Sequence, residues 1–260
     1  MQGENNIYYH DGTLANGISD NSYRYAGASS SVNNYVCFGT DAETCPIDNL
    51  YRIIGVIDGK VKLIKSTSLG SMAWDSNGSN TWSTSSINTY LNGTYLESFT
   101  DTWKEKIATT TWKVGGNTGA NIYNVVAATA YANEITSPNP GSTSTTGETE
   151  SSSKIALMYA SDYGFAASPT AWTTTLINYS GNDTAGTSIK ANNWLYLGSY
   201  EWLVSRRSDF SASAFGVYSG GGVDTIYVPN SFAVRPVFFL ESSAAYSGGT
   251  GTFLDPIRLS

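Results

Sequence analysis

Histidine is almost absent from this chain, cysteine nearly so, and charge is sparse: one His, two Cys and 13% Asp, Glu, Lys and Arg among 260 residues. Each shortage removes a class of chemistry. A Ser-His-Asp or Cys-His relay would have to use His10, which stands in a Gly- and Asn-rich leader and is expected at the surface. Zinc hydrolysis lacks both HExxH and a paired Cys/His set. The run from Asp75 to Ser86 superficially resembles the start of a calcium loop, but Asn80 and Ser86 stand where an EF-hand needs Gly and Glu. No phosphate-binding glycine pattern precedes a helix, and Gly220-Gly221-Gly222 is a run of glycines only. Carboxylate pairs such as Glu201 with Asp209, or Asp162 with Asp183, lack the flanking context of a glycosidase. The sequence is therefore read as a non-enzyme with no cofactor and no metal site.

Positive charge is also scarce. A net charge of −7 and a pI near 4.6 leave no basic face for a phosphate backbone, so nucleic acid is excluded as a partner. No apolar run approaches the roughly 20 residues that span a bilayer. The start, MQGENNIYYH, carries no signal-peptide pattern, and an anchor or signal segment is expected beyond the sequence read here.

What the chain has instead is aromatic mass, 13% Phe, Trp and Tyr, set in Ser, Thr, Asn and Gly. Such a composition is foldable and suits an exported bacterial or phage surface protein. Cys37 and Cys45 lie eight apart and read as a local disulfide in an oxidising compartment, with two free thiols as the alternative. Closing so short a loop contributes at most about 2 to 3 kcal/mol on the chain-entropy model.

In chain order, residues 1–32 form an irregular leader and 33–260 one domain. Tyr51 to Ile57 alternates as a strand, Asp58-Gly59 supplies a tight turn, and Val61 to Lys65 returns. Ser83 to Ser86 offer N-cap hydroxyls to a helix carrying Ile87, Tyr90, Leu91 and Tyr95 on one face. A second short helix is expected around 101–108. The Ser/Thr/Gly-rich stretch 137–153 reads as a flexible insertion.

The stretch 194–240 carries the functional weight. Trp194 to Val204 and Ala233 to Leu240 read as buried strands, and Arg235, in the middle of the second, must be paired. Between them lies a displayed segment of single aromatics among small residues, the composition of an antibody paratope. Of the adjacent arginines, one is expected to brace the loop and the other, Arg207, to face ligand. The candidate ligand-binding residues are Tyr200, Arg207, Asp209, Phe210, Phe215, Tyr218, Asp224, Thr225, Tyr227, Asn230 and Phe232.

The order YRIIGV, GKVKLIKS, NTWSTSSINTYLN, KIALMYASDYGFA, NNWLYLG, EWLVSRRSD and FAVRPVFFL resembles exported proteins with a C-type-lectin-like domain of the formylglycine-generating-enzyme-like branch. Within that branch it is similar to the variable proteins of diversity-generating retroelements. The resemblance implies an α+β fold of two helices with a small twisted antiparallel sheet and long irregular loops. It implies a recognition face, open to retroelement diversification, at about 200–232. The branch's catalytic cysteine pair is missing, since no cysteine follows Cys45. The expected function is a surface-displayed ligand-binding or adhesion protein meeting a protein or glycan on another cell or surface. The alternatives are a pilin-like or cell-wall subunit that forms a homo-oligomer and, less favoured, a glycan-active enzyme.

Overall fold

The computed structural model describes residues 2–137 and 147–260. Within the leader, β1 (Ile7–Tyr9) and β2 (Tyr23–Tyr25) already pair antiparallel, and β2 continues onto the main sheet. β3 (Tyr35–Cys37) and β2 lie in succession along one edge of β4 (Leu50–Ile57), whose other edge pairs with β5 (Lys60–Lys65). Asp58 and Gly59 both take positive φ in the tight β4–β5 turn, as the sequence predicts. Gly55 marks a bulge in β4, where a Cβ would sit 2.2 Å from the Tyr23 carbonyl oxygen, so only glycine lets β2 close on this strand. Cys37 and Cys45 are joined by a disulfide beside this sheet.

After β6 (Ser71–Ala73) comes α1 (Ser86–Tyr90), whose N-cap Ser85 accepts the Asn88 N–H; the helix runs on through a wide turn to Ser98. Ile87, Leu91 and Tyr95 are buried on one face, as their spacing predicts. α2 (Asp101–Glu105) buries Trp103. β7 (Thr110–Lys113) pairs with β8 (Glu150–Ser153). The far end of the expected insertion is thus strand, while 138–146 lie outside the described residues. Between those strands stand α3 (Gly119–Asn124) and α4 (Ala127–Tyr131), and α5 (Ala160–Phe165) follows them.

The second sheet uses β9 (Glu201–Arg206), β10 (Ser213–Val217), β11 (Val223–Tyr227) and β12 (Ser231–Ala233), in the order β11-β10-β9-β12-β6. From β12 the chain passes through Val234, Arg235 and Pro236 directly into β13 (Val237–Phe239), which pairs with β5. That crossing joins the two sheets. β14 (Tyr246–Gly248) and β15 (Arg258–Leu259) form a separate hairpin.

The expected fold is corrected here. The described residues hold five short α-helices and four sheets totalling fifteen strands, against the two helices and single small sheet of a C-type-lectin-like domain. The reason is compositional: Ser, Thr, Asn and Gly make poor helix interiors, so among the described residues no regular α-helical segment exceeds six residues before it changes to a wider or tighter turn or ends, while aromatic and β-branched residues build strands. Among the described residues no helix is long and apolar enough to cross a membrane.

Aromatic side chains fill the interior. The buried indoles of Trp74, Trp112, Trp172, Trp194 and Trp202 each donate their N–H to a backbone carbonyl, which lets so large a polar-edged ring enter a core. His10 is likewise fully buried, against Phe165 and Trp172, and not at the surface as expected. Burial pushes its imidazole down to about 3, so it stays neutral.

Candidate functional site

β9 is buried along its whole length, and Glu201 at its start meets Arg235 from the β12–β13 crossing. The guanidinium donates to both carboxylate oxygens, at 2.6 and 2.8 Å, and to the Leu195 carbonyl at 2.6 Å. This pair pins the two ends of the displayed segment, so Arg235 is structural, as its apolar strand requires.

Beyond β9 the chain turns sharply through 207–212. Arg207 donates to Asp209 at 2.7 and 3.2 Å, and Asp209 in turn accepts the backbone N–H of Gly119 at the start of α3. The buried Asn80 amide reaches the carbonyls of Arg207, Phe210 and Ser213, and Ser208 bonds the Asn117 carbonyl. The turn is held from beneath by side chains far away in sequence. The Asp209 contact raises Arg207 and holds the Asp209 carboxyl below its ordinary range. Arg206 is buried, with its Nε on the Glu148 carbonyl, so it braces while Arg207 stands half-exposed.

Rings rise from this frame. Phe210, 39% exposed, lies 5.4 Å beneath the Arg207 guanidinium, and its ring centre is 6.0 Å from that of Tyr227, 56% exposed. Tyr200, 39% exposed, stacks on Phe232 at 4.9 Å and meets Tyr218 edge-on at 5.0 Å, while Phe232 rests on the buried Trp202. Tyr218 also donates its hydroxyl to the Thr225 carbonyl, tying the β10–β11 hairpin to this group. The glycine run at that hairpin serves packing: a Cβ on Gly222 would stand 2.4 Å from the Ile177 carbonyl oxygen.

Tyr123 on α3, 43% exposed, completes the patch by hydrogen-bonding Asp224, which raises its hydroxyl pKa. Reading the sequence alone misses it, because α3 is brought to β11 only by tertiary packing. The structure links Tyr200, Arg207, Asp209, Phe210, Tyr218, Asp224, Thr225, Tyr227 and Phe232 by contacts that run from β12 past β9 and β10 to the β11 edge. Asn230 is exposed in the turn after β11. Phe215 is corrected: it is fully buried in the core, because β10 is covered on both faces. Arg207 balances Asp209, which leaves Asp224 as the patch's net charge.

Another buried carboxyl locks the frame. Glu134 accepts the N–H groups of Ala160 and Ser161 at the head of α5, the Ser161 hydroxyl, and the Ser205 hydroxyl from β9. Burial outweighs these four donors and raises its pKa to about 7. The folded state therefore binds this proton more tightly than the unfolded chain. Its stabilisation is complete below about pH 4.5 and is lost as pH rises to about 7, by up to roughly 3 kcal/mol. Urea denaturation of wild type and Glu134→Gln across that range should show stability falling more steeply in wild type. Parallel curves would remove Glu134 as the cause.

A family model described as "Domain of unknown function (DUF6273)" matches residues 58–242, which include the whole displayed segment. No curated protein and no solved structure matches the chain. The resemblance to C-type-lectin-like and retroelement variable proteins is therefore overturned on two grounds: the matching family is a different one, and the sheets are too many. By that match over most of its length, the chain belongs to the DUF6273 family.

Proposed function

We propose that this chain is a surface-displayed ligand-binding or adhesion protein that works outside the cell and binds its target without converting it. The observation that carries this reading is the convergence of exposed rings on a braced frame: Tyr123, Tyr200, Phe210 and Tyr227 each expose more than a third of their surface, with Tyr218 and Phe232 between them. Tyr and Phe offer large contact area with few rotatable bonds, so their ordering cost on binding is small. The turn that carries Phe210 is already hydrogen-bonded from below, which lowers that cost further. With Arg207 neutralised by Asp209, the face suits an uncharged or cationic partner surface, glycan or protein, better than an anionic one.

The test uses fluorescently labelled protein on an array of printed oligosaccharides and immobilised extracellular matrix proteins. Wild type should be retained on at least one feature, and the triple variant Phe210→Ala, Tyr218→Ala, Tyr227→Ala should lose that retention at least tenfold while keeping its circular dichroism spectrum. Equal retention of both proteins would move the recognition face elsewhere.

A further inference from the structure

Away from the aromatic face, a lysine and an aspartate 100 residues apart meet in the interior. Lys62 comes from β5 and Asp162 from the first turn of α5, and each side chain is 1% exposed. The Lys62 Nζ stands 2.5 Å from Asp162 Oδ2. Around that nitrogen lie the rings of Tyr159, Phe239 and Trp112, with centres 4.5, 5.5 and 5.8 Å away. Asp162 Oδ2 also accepts the Tyr159 N–H, at 2.9 Å. Its other oxygen, Oδ1, accepts from Arg24 at 3.1 Å, and Arg24 is paired in turn with Asp20 at 3.2 Å. A recess of about 170 Å³, lined by these groups with Tyr131 and Thr110, lies against the pair.

We propose that Lys62 and Asp162 condense into an intramolecular isopeptide bond that ties β5 to α5. The Lys62 Nζ bonds to Asp162 Cγ, the Cγ–Oδ2 bond breaks, and two of the three ammonium protons leave with Oδ2 as one water. The ammonium and carboxylate charges cancel in forming the amide, so neither oxidant nor co-reactant is consumed. Four features of the site favour this step. Held contact replaces a bimolecular encounter. Ring walls keep the ion pair from water, a desolvation cost that the neutral amide does not carry. Arg24 stands at Oδ1, where negative charge gathers as the carbon becomes tetrahedral, and it keeps Asp20 as its partner afterwards, so no charge is orphaned. The recess gives the departing water a way out.

Ionisation opposes and assists the step in turn. Burial alone would raise Asp162, but the Lys62 and Arg24 charges outweigh it and hold the carboxyl low. Burial lowers Lys62, which makes the free amine, the attacking form, easier to reach than on an exposed lysine. The bond forms slowly after folding and, once formed, persists in denaturant. This inference is independent of the recognition face.

Intact-mass spectrometry of the full chain in guanidinium decides it. Wild type should weigh about 18 Da less than its disulfide-bonded sequence, one water lost. Trypsin should release segment 61–65, uncut at Lys62, joined to segment 155–190. Lys62→Arg, which keeps the charge but has no amine to condense, should have its full sequence mass. A wild-type mass equal to that of the sequence, with Lys62 cleaved normally, would overturn the proposal whatever the variant does.

Discussion

Glu201→Ala is expected to lower the unfolding free energy by about 3 to 5 kcal/mol, a large share of the roughly 5 to 15 kcal/mol that holds an ordinary domain together. The loss comes mainly from what remains. Arg235, 3% exposed, would keep its charge inside the protein with the Leu195 carbonyl as its one remaining hydrogen-bond partner among the described residues, having lost both carboxylate contacts. The damage falls at the crossing where β12 leaves one sheet and β13 enters the other, so both sheets should loosen together. Replacing both residues, Glu201→Met with Arg235→Met, removes the charges as a pair and should recover most of the stability. Urea denaturation of the three proteins distinguishes the cases; a single-variant loss below about 1 kcal/mol would show that the pair does not hold the crossing.

Phe215→Ala is expected to cost about 3 to 5 kcal/mol through the cavity it leaves, although Phe215 sits in the middle of the displayed segment's sequence. Tyr227→Ala, by contrast, should change stability by less than about 0.5 kcal/mol, since more than half of that side chain is already in water. The two residues lie on neighbouring strands, Phe215 opposite Thr225 and Tyr227 opposite Ser213, so the comparison separates frame from face across a single hairpin. Melting and denaturation curves measure it directly. A mild Phe215→Ala together with a destabilising Tyr227→Ala would invert the assignment.

Those two residues show what sequence reading resolves. Alternation along Ser213 to Val217 says that successive side chains point to opposite faces, but it does not say that both faces are covered. Gly216 admits Ile226 so closely that a Cβ there would stand 2.2 Å from its Cδ1, and the other face meets the core. Phe215 therefore reads as a displayed ring until its neighbours are known. Tyr123 is the converse case: nothing near α3 marks it as part of a site, and only the packing of α3 beside β11 brings it to Asp224. Asn80, which holds the turn bearing Phe210, is 127 residues or more from the carbonyls it bonds.

By itself the sequence determined what rests on local chemistry: the hairpin at Asp58-Gly59, where two positive φ angles are needed; the capped helix with Ile87, Leu91 and Tyr95 on one side; and the need of Arg235 for a partner. Tertiary structure alone decided the rest: that the leader supplies strands to the main sheet, that His10 is core, that Glu201 answers Arg235, and that Lys62 meets Asp162. Backbone torsions and side-chain periodicity are set within a few residues, whereas pairing across the chain depends on which burial and hydrogen-bond partners the whole fold brings together.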